Sequence, residues 1–253
     1  MSQIKHHKIN ILNVNISVVD PALTVNLIEN MVVNSHKGYV CVAPVATLVD
    51  CQRVVGYRDI VNQATIVTPD GMPVVWLAKL KGALGIERTY GPDLMRLVCN
   101  KGQGKDLRHF FYGATSQTLL QLQNRLKFNY PKINIVGTYA PPFRSETGIE
   151  TKEIIKLIND SGADILWVGL GSPKQDFWMS IHRPLLNVPV LIGAGAAFDF
   201  LAEVKPEAPR WMQNAGLGWL FRLYSEPKRL WKRYLIGNSL FIFYVIKDLF
   251  SRK

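Results

Sequence analysis

Residues 164–178 read Asp164-Ile-Leu-Trp-Val168-Gly-Leu-Gly-Ser-Pro-Lys174-Gln-Asp-Phe-Trp178, and this stretch decides the fold. Ile165 to Val168 is apolar at consecutive positions rather than alternate ones. A strand of that kind is buried on both faces, which is the situation of a parallel strand covered by helices. The chain then turns through Gly169 and Gly171 and enters a segment of helical period, Lys174–Ile181. Strand, glycine turn, helix is the repeating unit of an open α/β sheet.

The same unit recurs in both directions. Strand candidates are Ile9–Val19 (a hairpin), Tyr39–Ala43, Ala64–Thr68, His109–Tyr112, Ile133–Tyr139 and Pro189–Ile192. Helical periods separate them at Pro21–Val33, Ala46–Asn62, Met72–Leu80, Pro92–Lys101, Ser116–Asn129 and Thr147–Asn159. The predicted fold is α/β: a doubly wound, Rossmann-like parallel sheet with helices on both faces. Strand signals stop near Pro209, so residues 1–208 form the α/β domain and residues 209–253 a helical, basic C-terminal appendage.

The formal charge of +11 is concentrated in that appendage. From Arg210 to Lys253 there are nine Lys/Arg against Glu226 and Asp248 alone. Such a patch seeks a polyanion, either nucleic acid or an anionic lipid surface. The interleaved apolar run Leu240–Ile246 favours the lipid surface over nucleic acid. Leu235–Phe250 is short of the roughly 20 apolar residues needed to span a bilayer. The polar Met1–Asn10 has no apolar signal core. Cys41, Cys51 and Cys99 show no paired spacing and read as structural thiols of a reduced, cytosolic compartment.

In a doubly wound sheet the chemistry belongs at the carboxyl ends of the strands. Asp70, in Thr68-Pro-Asp70-Gly71-Met-Pro73, is a candidate general base. On spacing alone, capping of the next helix is the favoured role. The Gly169–Lys174 turn offers backbone N–H groups and Lys174 to a phosphate, with structural turn and anion site evenly balanced. It is neither a dinucleotide fingerprint nor a P-loop, which counts against a nucleotide-dependent oxidoreductase. Gly193 and Gly195 are explained by close packing, and Ser116 by a helix cap. No Asp-x-Asp, H-E-x-x-H or G-x-S-x-G occurs.

The wording of these loops, taken in order, goes further. Ala64–Trp76, Arg88-Thr-Tyr-Gly91-Pro-Asp93-Leu94, Phe111-Tyr-Gly113, Gly169–Trp178, Gly193–Asp199, Ala208-Pro-Arg-Trp211, Gly216-Leu-Gly-Trp219, Arg222 and Glu226-Pro-Lys-Arg229 resemble the WecG/TagA/CpsF glycosyltransferases. The resemblance implies an inverting transferase without a metal cofactor, moving a sugar from a UDP-sugar to a saccharide on a polyprenyl diphosphate in bacterial surface-polysaccharide assembly. It implies a peripheral location on the inner face of the cell membrane and leaves a homo-oligomer open. Carried onto matching positions, Asp70 is the base. Arg88, Gln175, Lys174, Gly113, Gly169, Gly171, Gly193, Gly195, Arg222 and Arg229 are the substrate-binding set. Asp93 and Asp199 are read as structural. One departure stands out: where the family has Thr-x-Asn after the second strand, this chain has Ala43 and Val45, so two pocket hydrogen-bonding groups are missing.

Overall fold

The computed structural model describes residues 4, 6–142 and 148–250. A hairpin of β1 (Lys8–Ile11) and β2 (Val14–Ser17) leads into α1 (Pro21–Val33), capped by the Asp20 carboxylate on Leu23 N. Leu12 and Asn13, at the hairpin tip, both have positive φ, as a tight two-residue hairpin turn requires. The central sheet is built from β3 (Gly38–Ala43), β4 (Ile66–Pro69), β5 (Arg108–Gly113), β6 (Asn134–Tyr139), β7 (Ile165–Gly169) and β8 (Val190–Gly193). All pairings are parallel, in the order β4-β3-β8-β7-β5-β6. The doubly wound sheet expected from the sequence is therefore present.

Crossovers to β4 and β8 run toward one edge of the sheet and the crossover to β6 toward the other, so right-handed connection places helices on both faces. One face is covered by α2 (Val45–Arg53), α3 (Tyr57–Gln63), α4 (Met72–Leu80), α7 (Lys152–Asp160) and α8 (Lys174–His182). The other is covered by α1, α5 (Gly91–Gly102), α6 (Ser116–Asn129) and α9 (Ala197–Leu201). Trp167 on β7 and Trp178 on α8 are among the largest fully enclosed side chains, which explains the unalternated apolar run. The three cysteines are buried and unpaired.

Three local expectations change. The helix predicted over Ala46–Asn62 is two helices, because Gly56 turns left-handed at φ +75° and starts α3 afresh. The helix predicted from Thr147 begins at Lys152, and Thr147 lies outside the described residues. The cap of α6 is Thr115, which accepts from Thr118 N at 3.1 Å, rather than Ser116.

After Pro209 the chain forms α10 (Arg210–Asn214), α11 (Gly218–Ser225), α12 (Pro227–Trp231), a π-helical turn (Lys232–Ile236) and α13 (Gly237–Phe250). One face of α13 packs back on the α/β body. It lies against α2, buries Phe241 and is tied by Asp248 to Lys81 at 2.8 Å. Its other face leaves Ile242, Phe243, Ile246, Leu249 and Phe250 in solvent. No helix among the described residues is long and apolar enough to cross a membrane.

Candidate active site

The carboxyl ends of β3, β4, β7 and β8 converge with the tail helices around one residue, Asp70. Its backbone N–H donates to Ala43 O at 3.2 Å, fixing it against the end of β3. Thr89 N donates to Pro69 O at 2.8 Å, which pins the loop carrying Arg88 beside β4. Arg88 Nε then stands 4.0 Å from Asp70 Oδ1. The capping role favoured by spacing does not hold: α4 starts from Gly71 with no side-chain cap, and Oδ1 has no hydrogen-bond partner among the described residues. The carboxylate is thus left for other use. Desolvation raises its pKa to about 7, against the opposing pull of Arg88, Arg222 and Arg233, with Asp93 adding to the rise.

Two cavities meet at Asp70. The larger, of about 590 Å³, lies beneath the tail and is mostly apolar, with Pro44, Val45, Met72, Trp219, Phe241 and Ile242 in its wall. The smaller, of about 260 Å³, is lined by the glycine turns Gly169–Ser172 and Gly193–Ala197 together with Asp199. Pro44, Asp70, Tyr90, Arg222 and Arg233 border both. Val45 faces the larger cavity, whereas Ala43 is fully enclosed and contributes its carbonyl to Asp70.

The structure gathers some of the sequence candidates and sets others aside. Arg88 and Arg222 reach the junction, and Arg222 lies over the Phe200 ring at 5.5 Å. Arg229 borders the smaller cavity and is paired with Glu226. Gln175 is buried in the wall of that cavity, where Oε1 accepts from Gly171 N at 3.1 Å and Nε2 donates to Ser172 Oγ at 3.2 Å. Within the Gly169–Lys174 turn, the Gly171 N–H is thus taken by the Gln175 side chain and serves the turn itself. Gln175 N donates to Gly171 O, and Asp176 N and Phe177 N both donate to Pro173 O. Ala194 N and Gly195 N likewise go to Val168 O. Lys174 lines a separate cavity of about 600 Å³ with Tyr112, Ser116 and Trp178.

Gly113 borders none of these cavities: a Cβ there would stand 2.7 Å from the Gly169 carbonyl, so close approach of β5 and β7 demands glycine. Gly193 makes room for Gln175 Nε2, which a Cβ would meet at 2.7 Å. Asp93 is held by Arg96 and Arg210 at 2.9 and 2.6 Å. Asp199 pairs with Lys205 at 2.9 Å while lining the smaller cavity.

Tyr90, Gln213 and Arg233 belong to the site and were not among the candidates. The spacing of Arg88 and Tyr90 carried one signal, since the guanidinium rests on the ring at 4.3 Å. Among the described residues no group of three or more His, Cys, Asp or Glu could hold a metal ion.

A strand-end carboxylate ringed by arginines at the junction of a glycine-lined and an apolar cavity suits a group transfer between a charged donor and a lipid-borne acceptor. Residues 9–253 match the glycosyl transferase WecG/TagA/CpsF family. The chain belongs to that family. It is a glycosyltransferase. Over 179 residues it is 32% identical to an N-acetylglucosaminyldiphosphoundecaprenol N-acetyl-beta-D-mannosaminyltransferase of Bacillus spizizenii, covering 71% of this chain and 67% of the relative. A protein of the same name from Bacillus subtilis (strain 168) is 30% identical over 179 residues, covering 71% and 68%.

Proposed function

We propose that this glycosyltransferase moves a hexose of the N-acetylmannosamine or uronic acid class from a UDP-sugar to a polyprenyl-diphosphate-linked saccharide, with inversion and without a metal. The relatives' names supply the acceptor class, an N-acetylglucosamine on undecaprenyl diphosphate, and the mannosamine-type product. The observation that carries the reading is the placement of Asp70 where the two cavities meet. The donor diphosphate occupies the smaller cavity and the acceptor enters from the larger. The Asp70 carboxylate takes the proton of the acceptor hydroxyl as its oxygen attacks the anomeric carbon. The bond from that carbon to the diphosphate oxygen breaks, and UDP leaves with its charge met by Arg222, Arg229 and Arg233. A single displacement inverts the anomeric centre. Val45, apolar on the acceptor side of Asp70, favours an acceptor sugar presenting few hydroxyls toward that wall.

A panel of UDP-sugars, offered with N-acetylglucosaminyl diphosphate on a polyprenyl chain in excess EDTA, tests this. One donor is expected to give acceptor-dependent UDP release at full rate. Release that EDTA abolishes and Mg²⁺ or Mn²⁺ restores would exclude the metal-free mechanism, and no release with any donor would exclude the substrate class.

The site works at the inner face of the cell membrane, held there by the tail. Lys228 and Lys232 are exposed beside Trp231, and Phe243, Ile246, Leu249 and Phe250 form an apolar strip on the outer face of α13. Each basic residue near an anionic leaflet is worth about 1 kcal/mol, and the strip adds shallow insertion. Replacing Phe243 and Ile246 by Ser together with Lys228 and Lys232 by Gln is expected to release the protein from anionic vesicles. Turnover on a short-chain, water-soluble acceptor should be retained, because none of the four borders either of the two cavities at Asp70. Unchanged co-sedimentation would move the attachment elsewhere in the chain.

A further inference from the structure

The tail reaches the surroundings of Asp70 through a neutral residue as well as through its arginines. Gln213 sits on α10 and is only 4% exposed. Its Nε2 donates to Ala208 O at 2.7 Å and reaches Glu207 Oε1 at 3.4 Å. An amide has one donating and one accepting end, so commitment of the nitrogen to two oxygens turns Oε1 the other way. Arg88 Nη1 stands 3.4 Å from that oxygen. Arg88 is therefore held at three places: its plane by the Tyr90 ring, one edge by Gln213, and its Nε side toward Asp70. The helix bearing Gln213 is itself anchored. Arg210 reaches Asp93, and Arg96 links Asp93 to Glu207 at 2.9 and 2.5 Å.

We infer that Gln213 is a positioning residue for this reaction: by fixing one edge of the Arg88 guanidinium, it sets how that charge faces Asp70. The inference rests on the proposed reading of Asp70 as the base. Arg222 from α11 and Arg233 from the π-helical turn also face Asp70, with Tyr90 beside it and Asp93 behind. Of the arginines among these, Arg88 stands nearest to the carboxylate and is the one with a hydrogen bond into α10. Loss of that bond frees the guanidinium to swing toward the larger cavity. With the opposing cation withdrawn, Asp70 holds its proton to higher pH. Docking of the first tail helix thus completes the base as well as covering it.

The test is Gln213→Leu in the full chain, read by a carbon-13 titration of the Asp70 carboxyl, assigned with Asp70→Asn, beside the pH profile of kcat. The carboxyl midpoint should move up by roughly 0.5–1 pH unit, the size expected for weakening one charge contact at a partly solvated site. The acid limb of kcat should follow, costing about 3- to 10-fold below the midpoint and recovering by about pH 8.5, with donor KM unchanged. In an Arg88→Gln background the same substitution should add nothing. An unmoved midpoint, or an equal shift in the Arg88→Gln background, would overturn the inference. A carboxyl that moves while the kcat limb stays fixed would show that Gln213 sets how Arg88 faces Asp70, but it would overturn the role in the reaction together with Asp70 as the base. Should the leucine variant not fold, Gln213→Asn, an amide one methylene shorter, is expected to shift both readouts the same way by less.

Discussion

Asp70→Asn is expected to lower turnover by roughly 10²-fold or more while leaving UDP binding intact, the cost of removing a general base. The same substitution should make the protein more stable near neutral pH. In the folded chain desolvation holds the Asp70 pKa at about 7, whereas in the unfolded chain a free Asp titrates near 3.9. The folded state therefore binds this proton more tightly. The contribution of the protonated group is complete below the unfolded value and is lost as pH rises from about 4 through 7. Asparagine has no proton to lose, so thermal melts should place the variant above wild type at pH 8, with the gap closing toward pH 5. A variant that turns over normally, or that melts below wild type at pH 8, would show a carboxylate serving structure instead.

A comparable loss is expected from the arginines at the junction. Arg222 and Arg233 border both cavities, the place where charge builds on the departing diphosphate. Pre-positioned charges aimed at developing charge typically account for about 10²- to 10³-fold in kcat each. Arg222→Ala and Arg233→Ala should each fall in that range, with kcat hit harder than donor KM. Arg222→Lys should recover only part of the rate, because the ammonium cannot donate in the planar, forked geometry of a guanidinium. Arg222 lies over Phe200 as well, so its alanine variant should also lose some stability, whereas exposed Arg233 should not. If the double variant kept near-normal kcat, leaving-group stabilisation would have to come from elsewhere.

Much of the scaffold was legible because it depends on local pattern. Ile165–Val168, apolar at consecutive positions between turn signals, reads as a doubly buried strand, and the recurring strand, turn, helix unit pointed to the strand ends as the place for chemistry. The split of the second helix was hidden because the apolar pattern runs on past Arg53, where the backbone turns extended at Val54 before Gly56 restarts the helix from a left-handed conformation. The site was legible in part. Asp70 and Arg88 lie close in sequence to strand ends, and their positions followed from topology. For the Gly169–Lys174 turn, where spacing left structural turn and anion site balanced, one donor goes to the turn itself: a side chain four residues on, Gln175, accepts from the Gly171 N–H. Gln213 and Arg233 come from tail helices whose approach to Asp70 is a tertiary fact, with no spacing rule connecting residues 70, 88, 213 and 233. The apolar tail was read as membrane-facing, yet the structure divides it: Phe241 and Leu240 pack inward while Phe243 and Ile246 face out.

The proposed single displacement with Asp70 as base requires the new glycosidic bond to have the opposite configuration to the bond in the donor. The most direct test is the anomeric configuration of the product, read by proton NMR after transfer from an α-linked UDP-sugar to the polyprenyl-diphosphate saccharide. A β-linked product, formed by Asp70→Asn at a rate lower by roughly 10²-fold or more, is the expected result. An α-linked product, or an equal rate from the variant, would contradict catalysis by Asp70 through direct displacement.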